Sequence, residues 1–263
     1  MSDPLPDPDP DPDLALRALP PAARLRPTAD ANIALISCHF GLHEPFNPAA
    51  AATTQEGVEA FVFTDRPGLP VASGTRAVVL PPDPAGPALQ SRLPKLCPHL
   101  FLEGFDWVIY LDNNARLVHS PARIVHKIGK EFPERPAGRY FFRHRRRDCA
   151  WDEADECLRL GFMTAAQHAH VIDTFTQAGF PRRAGLFANT CLVQHMGSNA
   201  TDRLNEAWFR SLTSHTRRDQ VMLPFLLWHQ AVPHLAVKPK IKDWADWPVF
   251  SEAERARFRA AAA

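Results

Sequence analysis

Short apolar runs, each closed by a polar cluster, recur along the first half of the chain. Asn32-Ile33-Ala34-Leu35-Ile36-Ser37-Cys38 ends at His39, His43 and Glu44, and Ala60-Phe61-Val62-Phe63 stops at Thr64-Asp65-Arg66. Ala77-Val78-Val79-Leu80 gives way to a proline-rich loop, and Trp107-Val108-Ile109-Tyr110-Leu111 stops at Asp112-Asn113-Asn114. Continuous apolar runs, without the in-out alternation of a one-sided sheet, predict strands covered on both faces, as in a parallel sheet. Between them lie helical spacings. Leucines 89, 93, 96 and 100 repeat at helical intervals, with Pro94 and Pro98 set to start, kink or split that helix.

The second half is less regular. Tyr140-Phe141-Phe142 reads as a strand, Leu158 to Ala178 as one or two helices ending at Gly179, and Gly185 to His195 as a turn feeding another buried strand. Leu204 to Trp228 reads as two helices broken near 211 to 218. Short strands alternating with helical segments predict an α/β fold with a mostly parallel central sheet and helices on both faces.

Composition narrows the class. The 263 residues, 45% hydrophobic and 22% charged, suffice for one large domain with a real core. Thirty basic against twenty-nine acidic residues leave +1, so no global field argues for nucleic acid, and any anion site must be local. Residues 1 to 28, with the Asp-Pro repeat from Asp7 to Asp13, are expected to form an extended, disordered tail ahead of a domain spanning 29 to 263. The opening residues have no signal-peptide pattern and no later run is long enough for a membrane span, so a cytoplasmic chain is expected. Cys38, Cys97, Cys149, Cys157 and Cys191 are odd in number and widely spaced, which favours reduced thiols.

Candidate chemistry concentrates past the end of the 107 to 111 strand, where open α/β sheets bind ligands. Asp112 and Asn114, two apart, offer hard oxygen donors suited to Mg²⁺ or Mn²⁺; a turn held by Asp and Asn side chains is the competing reading. Arg143 to Asp148 is a basic run near the acidic Asp152, Glu153, Asp155 and Glu156. It reads either as solvated ion pairs or as an anion clamp in which Arg143 and His144 take part. Asn189 suits a sugar hydroxyl or a backbone bond. Asp219 suits a helix start, yet Arg217-Arg218-Asp219-Gln220 is unusually dense in polar groups for one. His229 and His234 could each complete a metal site, but a lone histidine more often reads as structural.

Four segments, TDR at 64 to 66, KLCPHLFLEGFDWVIYLDNNARL at 95 to 117, GLFANTCLVQH at 185 to 195 and RRDQVMLPFLLW at 217 to 228, occur in an order that resembles a glycosyltransferase-like domain family. That family is named for a plant turgor regulator and a mucilage-biosynthesis protein. More distantly the chain is similar to the nucleotide-sugar transferases related to glycogenin, over about residues 30 to 250. The resemblance implies a single GT-A-like, Rossmann-like domain over 29 to 263. It implies that Thr64, Asp65 and Arg66 grip the nucleoside and that Lys95 is a basic position ahead of the metal strand. Asp112 and Asn114 take the metal positions, Asn189 the sugar-side turn, and Asp219 with Gln220 a late catalytic element. Asn114 stands where the families carry a carboxylate, which removes one negative charge from any metal site.

The implied activity is transfer of a hexose-type sugar from a nucleotide-diphosphate donor to a glycan, lipid or small-molecule acceptor, with Mn²⁺ or Mg²⁺ at the Asp112-Asn113-Asn114 element. Two other classes compete. One is a catalytically silent nucleotide- or sugar-binding module, suggested by the missing carboxylate. The other is a ceramidase-like amide hydrolase, for which the sequence offers neither Gly-x-Ser-x-Gly nor His-Glu-x-x-His.

Overall fold

The computed structural model describes residues 24–28, 30–238 and 240–262. Positions 1–23 of the Asp/Pro-rich segment read as a tail lie outside the described residues. Leu25, just after them, is held on the domain: its N–H donates to Phe101 O at 2.7 Å and its carbonyl accepts from Glu103 N at 3.0 Å.

The chain opens with β1 (Ile33–His39), β2 (Val58–Thr64) and β3 (Thr75–Val79), then two short helices, α1 (Pro87–Gln90) and α2 (Arg92–Leu96). The leucine-spaced stretch is thus divided. Pro94 sits in the first turn of α2, where its missing N–H has no partner to lose, and Pro98 opens a separate 3₁₀ turn. β4 (Trp107–Leu111), β5 (Arg116–Leu117), α3 (Pro121–Glu131) and β6 (Gly138–Arg143) follow. Next come α4 (Ala150–Arg159) and α5 (Ala165–Ala178). The latter starts with a reciprocal cap between Thr164 and Gln167 and ends at Gly179 in the left-handed region, φ 68°. β7 (Phe187–His195), α6 (Asn199–Ser214), α7 (Asp219–His229), β8 (Leu235–Val237), β9 (Ala245–Asp246) and α8 (Glu252–Ala262) complete it.

Seven strands form one sheet in the order β3-β2-β1-β4-β7-β6-β8, and β5 pairs with β9 in a small second sheet. β1, β2, β3 and β4 are parallel, β6 and β8 are parallel, and β7 runs antiparallel to both β4 and β6. Six strands therefore point one way and β7 opposes them, so the mostly parallel sheet expected from the sequence is present.

Alternate residues of each strand enter different cores, as the strand's period of two requires. Val108 and Tyr110 join Ile36, Phe61, Phe63 and the buried sides of α2 and α4 to α7. Trp107, Ile109 and Leu111 join Ile33, Leu35 and, from α3, Ile124, Val125 and Ile128. β1, β2 and β4 thus have both faces covered, which is why their sequences read as unbroken apolar runs, whereas β3, read the same way, lies at the sheet edge with none of its five residues buried and Val79 exposed. α7 is apolar nearly all round and buried from Val221 to Leu227, as expected of a helix enclosed on every side. Its first residue, Asp219, is carried into the interior with it. All five cysteines are free and buried. Among the described residues no helix is long and apolar enough to cross a membrane.

Candidate active site

A cavity of about 670 Å³ opens beyond the carboxyl end of β4. Four pieces of chain meet there. β4 ends in Asp112, α2 brings Arg92 and Lys95, β7 brings Asn189 near its beginning, and α7 presents Asp219 and Gln220 at its amino end. β7 delivers Asn189 from its start because it runs against β4: its beginning lies beside β4's end, and Asp112 N donates to Thr190 O at 2.9 Å.

At the floor a buried ammonium sits between two carboxylates. Lys95 Nζ is 3.1 Å from Asp112 Oδ1 and 2.9 Å from Asp219 Oδ2, and Arg92 Nε is 3.8 Å from the same Asp219 oxygen. The side chain of Lys95 is 3% exposed, Asp219's 12% and Asp112's 28%. Asp112 Oδ1 also accepts from the Tyr110 hydroxyl at 2.8 Å, from the same strand face two residues back. Burial alone would raise the Asp219 pKa, but the Lys95 and Arg92 charges outweigh it and hold this carboxyl well below its ordinary range. Burial, aided by the Asp112 charge, pushes the Tyr110 hydroxyl well up, so it stays a donor. The Asp219 carboxylate does not cap α7; its backbone carbonyl is held by Trp208 Nε1 at 2.7 Å.

Asn189 is 3% exposed, lines the cavity, and neither its Oδ1 nor its Nδ2 has a hydrogen-bond partner among the described residues. A buried amide left unmatched costs about 1–3 kcal/mol, so such a group marks a position that a bound molecule can complete. Gln220 donates through Nε2 to Phe187 O at 3.1 Å, which turns its carbonyl oxygen into the remaining free function. His144 Nδ1 accepts from Arg147 N at 3.2 Å, so the neutral ring carries its proton on Nε2 and is a donor. Burial, the largest cause, lowers the His144 pKa and favours this neutral form.

The walls are cationic. Nine lysine and arginine side chains line the cavity against three carboxylates, Glu44, Asp112 and Asp219, in a chain whose formal charge is only +1. Of the basic run after β6, Arg147 is paired outside the cavity with Glu153 at 2.6 Å and Glu156 at 3.8 Å. Arg145, Arg146, Arg217 and Lys242 line the cavity with no carboxylate within ion-pair distance among the described residues. Arg145, Arg146 and Arg147 all line the cavity, but only Arg147 has carboxylates within ion-pair distance.

Of the residues singled out in the sequence, Lys95, Asp112, Asn114, His144, Asn189, Asp219 and Gln220 line this one cavity. Arg143 does not line it and is exposed at the end of β6. The Thr64-Asp65-Arg66 triplet lies apart. Thr64 is fully buried, both Asp65 oxygens accept from Gly41 N at 3.1 and 3.0 Å, and Arg66 lines a neighbouring hollow with Leu42, Phe46 and Phe258.

Arg92, Tyr110, Trp247 and Arg255 also line the cavity and were not singled out. Arg92 and Lys95 stand at i and i+3, and Tyr110 and Asp112 at i and i+2, so both pairs carry a readable same-face spacing. Trp247 and Arg255 carry none.

The oxygens read as donors for a divalent cation at the end of β4 already have partners. Asp112 Oδ1 is engaged by Lys95 and Tyr110, and Asn114 Oδ1 accepts from Phe250 N at 2.7 Å. Asn113 is a structural hub: it accepts from Asn47 N and donates to Glu44 Oε1 and Pro45 O, all at 2.8 Å. Among the described residues no three His, Cys, Asp or Glu side chains come together to hold an ion.

Comparison with known proteins agrees with the architecture. No protein-family model matches the chain, and no curated protein does. Among solved structures it is similar to an apo form of the bifunctional glycosyltransferase WbbM, with a TM-score of 0.51 at 9% identity. The match covers 90% of this chain and 45% of that one, so this chain spans about half the length of its structural relative. At that identity the likeness shows a shared fold.

Proposed function

We propose that this chain is a glycosyltransferase that moves a hexose-type sugar from a nucleoside-diphosphate donor to an acceptor hydroxyl. The observation that carries this reading is the concentration of cations and an unpartnered buried amide in one cavity at the carboxyl edge of a parallel sheet. It is supported by the fold shared with a glycosyltransferase, and by the sequence resemblance to the plant family and to glycogenin-like transferases.

In such a transfer the acceptor oxygen forms a bond to the anomeric carbon while that carbon's bond to the diphosphate breaks. The electron pair leaves on the diphosphate oxygen, and the acceptor proton passes to that oxygen or to water. Negative charge thus grows on the leaving group, and cationic side chains aimed at it stabilise the transition state more than the ground state. Arg145, Arg146, Arg217 and His144 Nε2–H suit this role. Asp219 has the opposite task. A carboxylate whose pKa is held so low is a poor proton acceptor, so it suits stabilisation of the oxocarbenium-like sugar and alignment of its hydroxyls. Asn189 and the Gln220 carbonyl offer the neutral bonds that orient those hydroxyls.

The amide-hydrolase reading finds poor nucleophiles in Cys38 and Ser91 of the cavity. Burial pushes the Cys38 thiol far up, and Ser91 Oγ donates to Ala88 O. A silent donor-binding module is the second reading, favoured by Asn114, whose amide oxygen holds the backbone of Phe250. Calorimetric titration with UDP and GDP tests the proposal: one of them is expected to bind, and failure of both to bind the folded protein would overturn it. A bound UDP- or GDP-sugar that is neither hydrolysed nor transferred in any acceptor screen would decide for the silent module.

A further inference from the structure

The floor and the walls of this cavity carry different charge. On the floor, Lys95 and Arg92 balance Asp112 and Asp219 within ion-pair distance, so the cluster is neutral as it stands. On the walls, Arg145, Arg146, Arg217 and Lys242 have no carboxylate within ion-pair distance among the described residues. A divalent ion placed between Asp112 and Asp219 would meet the buried Lys95 ammonium, which already occupies that position at 3.1 and 2.9 Å from the two carboxylates. Asn114, the remaining oxygen donor at the end of β4, is turned to Phe250 N. A diphosphate, in contrast, meets permanently charged guanidinium groups whose paired N–H donors match phosphate oxygens. Asn189 is the independent sign of a ligand: it is buried, it lines the cavity, and both ends of its amide are unmatched.

We infer that this cavity takes its nucleoside diphosphate without a divalent metal. The arginine wall neutralises the phosphates and Lys95 is the built-in cation between the two floor carboxylates. Asp112 and Asp219 then serve sugar hydroxyls as acceptors, in place of a metal. The inference rests on the transfer reading proposed above and goes beyond it, because a sugar transferase with this fold is compatible with either mode of charge neutralisation.

The test is calorimetric titration of the full chain with UDP and with GDP, once in EDTA and once in excess Mn²⁺ or Mg²⁺. At least one nucleotide is expected to bind in EDTA with an affinity within about threefold of that in metal, since the neutralising charge is already in the protein. Arg145→Ser/Arg146→Ser, on an exposed loop, is expected to weaken that binding by about tenfold or more while the far-ultraviolet circular dichroism stays unchanged. Tightening by more than about tenfold on adding either metal would overturn the inference and leave the transfer reading standing. Wild-type affinity in the double arginine variant would overturn the assignment of the phosphates to that wall. Absence of binding in both buffers would overturn the inference and the transfer reading together.

Discussion

Lys95→Met keeps the length and apolar stem of the side chain and removes only its charge and donors. The ammonium lies 2.9 Å from Asp219 and 3.1 Å from Asp112. At an effective dielectric of about 20 each contact is worth roughly 5–6 kcal/mol of gross attraction, much of it offset by the desolvation of the three groups. The two acids then differ in what they keep. Asp112, with a 28% exposed side chain, turns to water and retains the Tyr110 hydroxyl. Asp219, 12% exposed, retains Arg92 at 3.8 Å. Removing one partner of a buried pair costs about 3–5 kcal/mol, and the surviving Arg92 contact brings the expected loss to about 2–4 kcal/mol. Urea unfolding at neutral pH measures it, with comparable slopes required of wild type and variant. In the Lys95→Met/Asp219→Asn double variant part of the loss is expected to return, as a coupling energy of about 1 kcal/mol or more. A loss below about 0.5 kcal/mol without coupling would refute the view that this ammonium is a fixed structural cation.

Three further outcomes are expected. Asn113→Ala, which removes an acceptor for Asn47 N and the donor to Glu44 and Pro45, is expected to cost about 2–3 kcal/mol in the same unfolding experiment; a loss within about 0.5 kcal/mol would show the hub to be dispensable. Gly179→Ala, at φ 68°, is expected to lower stability by about 1 kcal/mol, and an unchanged melting temperature would contradict the left-handed cap. His39, His144 and His215 all have pKa values lowered by burial from 6.5, so the unfolded chain binds more protons than the native one once the pH falls below that value. Their contribution is intact above about pH 6.5 and is lost progressively below it, whereas the depressed Asp219 carboxyl keeps stabilising until the pH drops past its ordinary 3.8. Melting temperature followed from about pH 7.5 to about pH 5 is expected to fall, and a flat profile would contradict the burial of these rings.

The parts of the fold that were legible in the sequence are those whose environment is uniform. β1, β2 and β4 are buried on both faces, so each left a continuous apolar run that locates it within a residue or two. Strand direction left no such trace: the apolar run of β7 reads the same whether it lies parallel or antiparallel to its neighbours. β8 has three residues, too few for a period, and α3 presents its buried positions at 121, 124, 125 and 128 among charged neighbours. In the cavity, Asp112, Asn189 and Asp219 were readable because each is a polar residue at the edge of an apolar element, whereas Lys95 was reached only through the family resemblance. The bonds that decide what those residues face were not. Asn113 reaches Asn47 across 66 positions and Asn114 reaches Phe250 across 136, and contacts of that range have no local signature.

The grip of Asn114 on the backbone of Val249 and Phe250 has a consequence for biosynthesis. The strands that set the cavity floor are complete once β7 has emerged from the ribosome, but the side bearing Lys242, Trp247 and Arg255 belongs to chain that is still untranslated at that moment. A nascent chain paused there would display β4's polar tip to solvent on an open flank. The cavity's outline is thus completed late, when the segment beyond Trp247 folds back and is fastened to Asn114 across 136 positions.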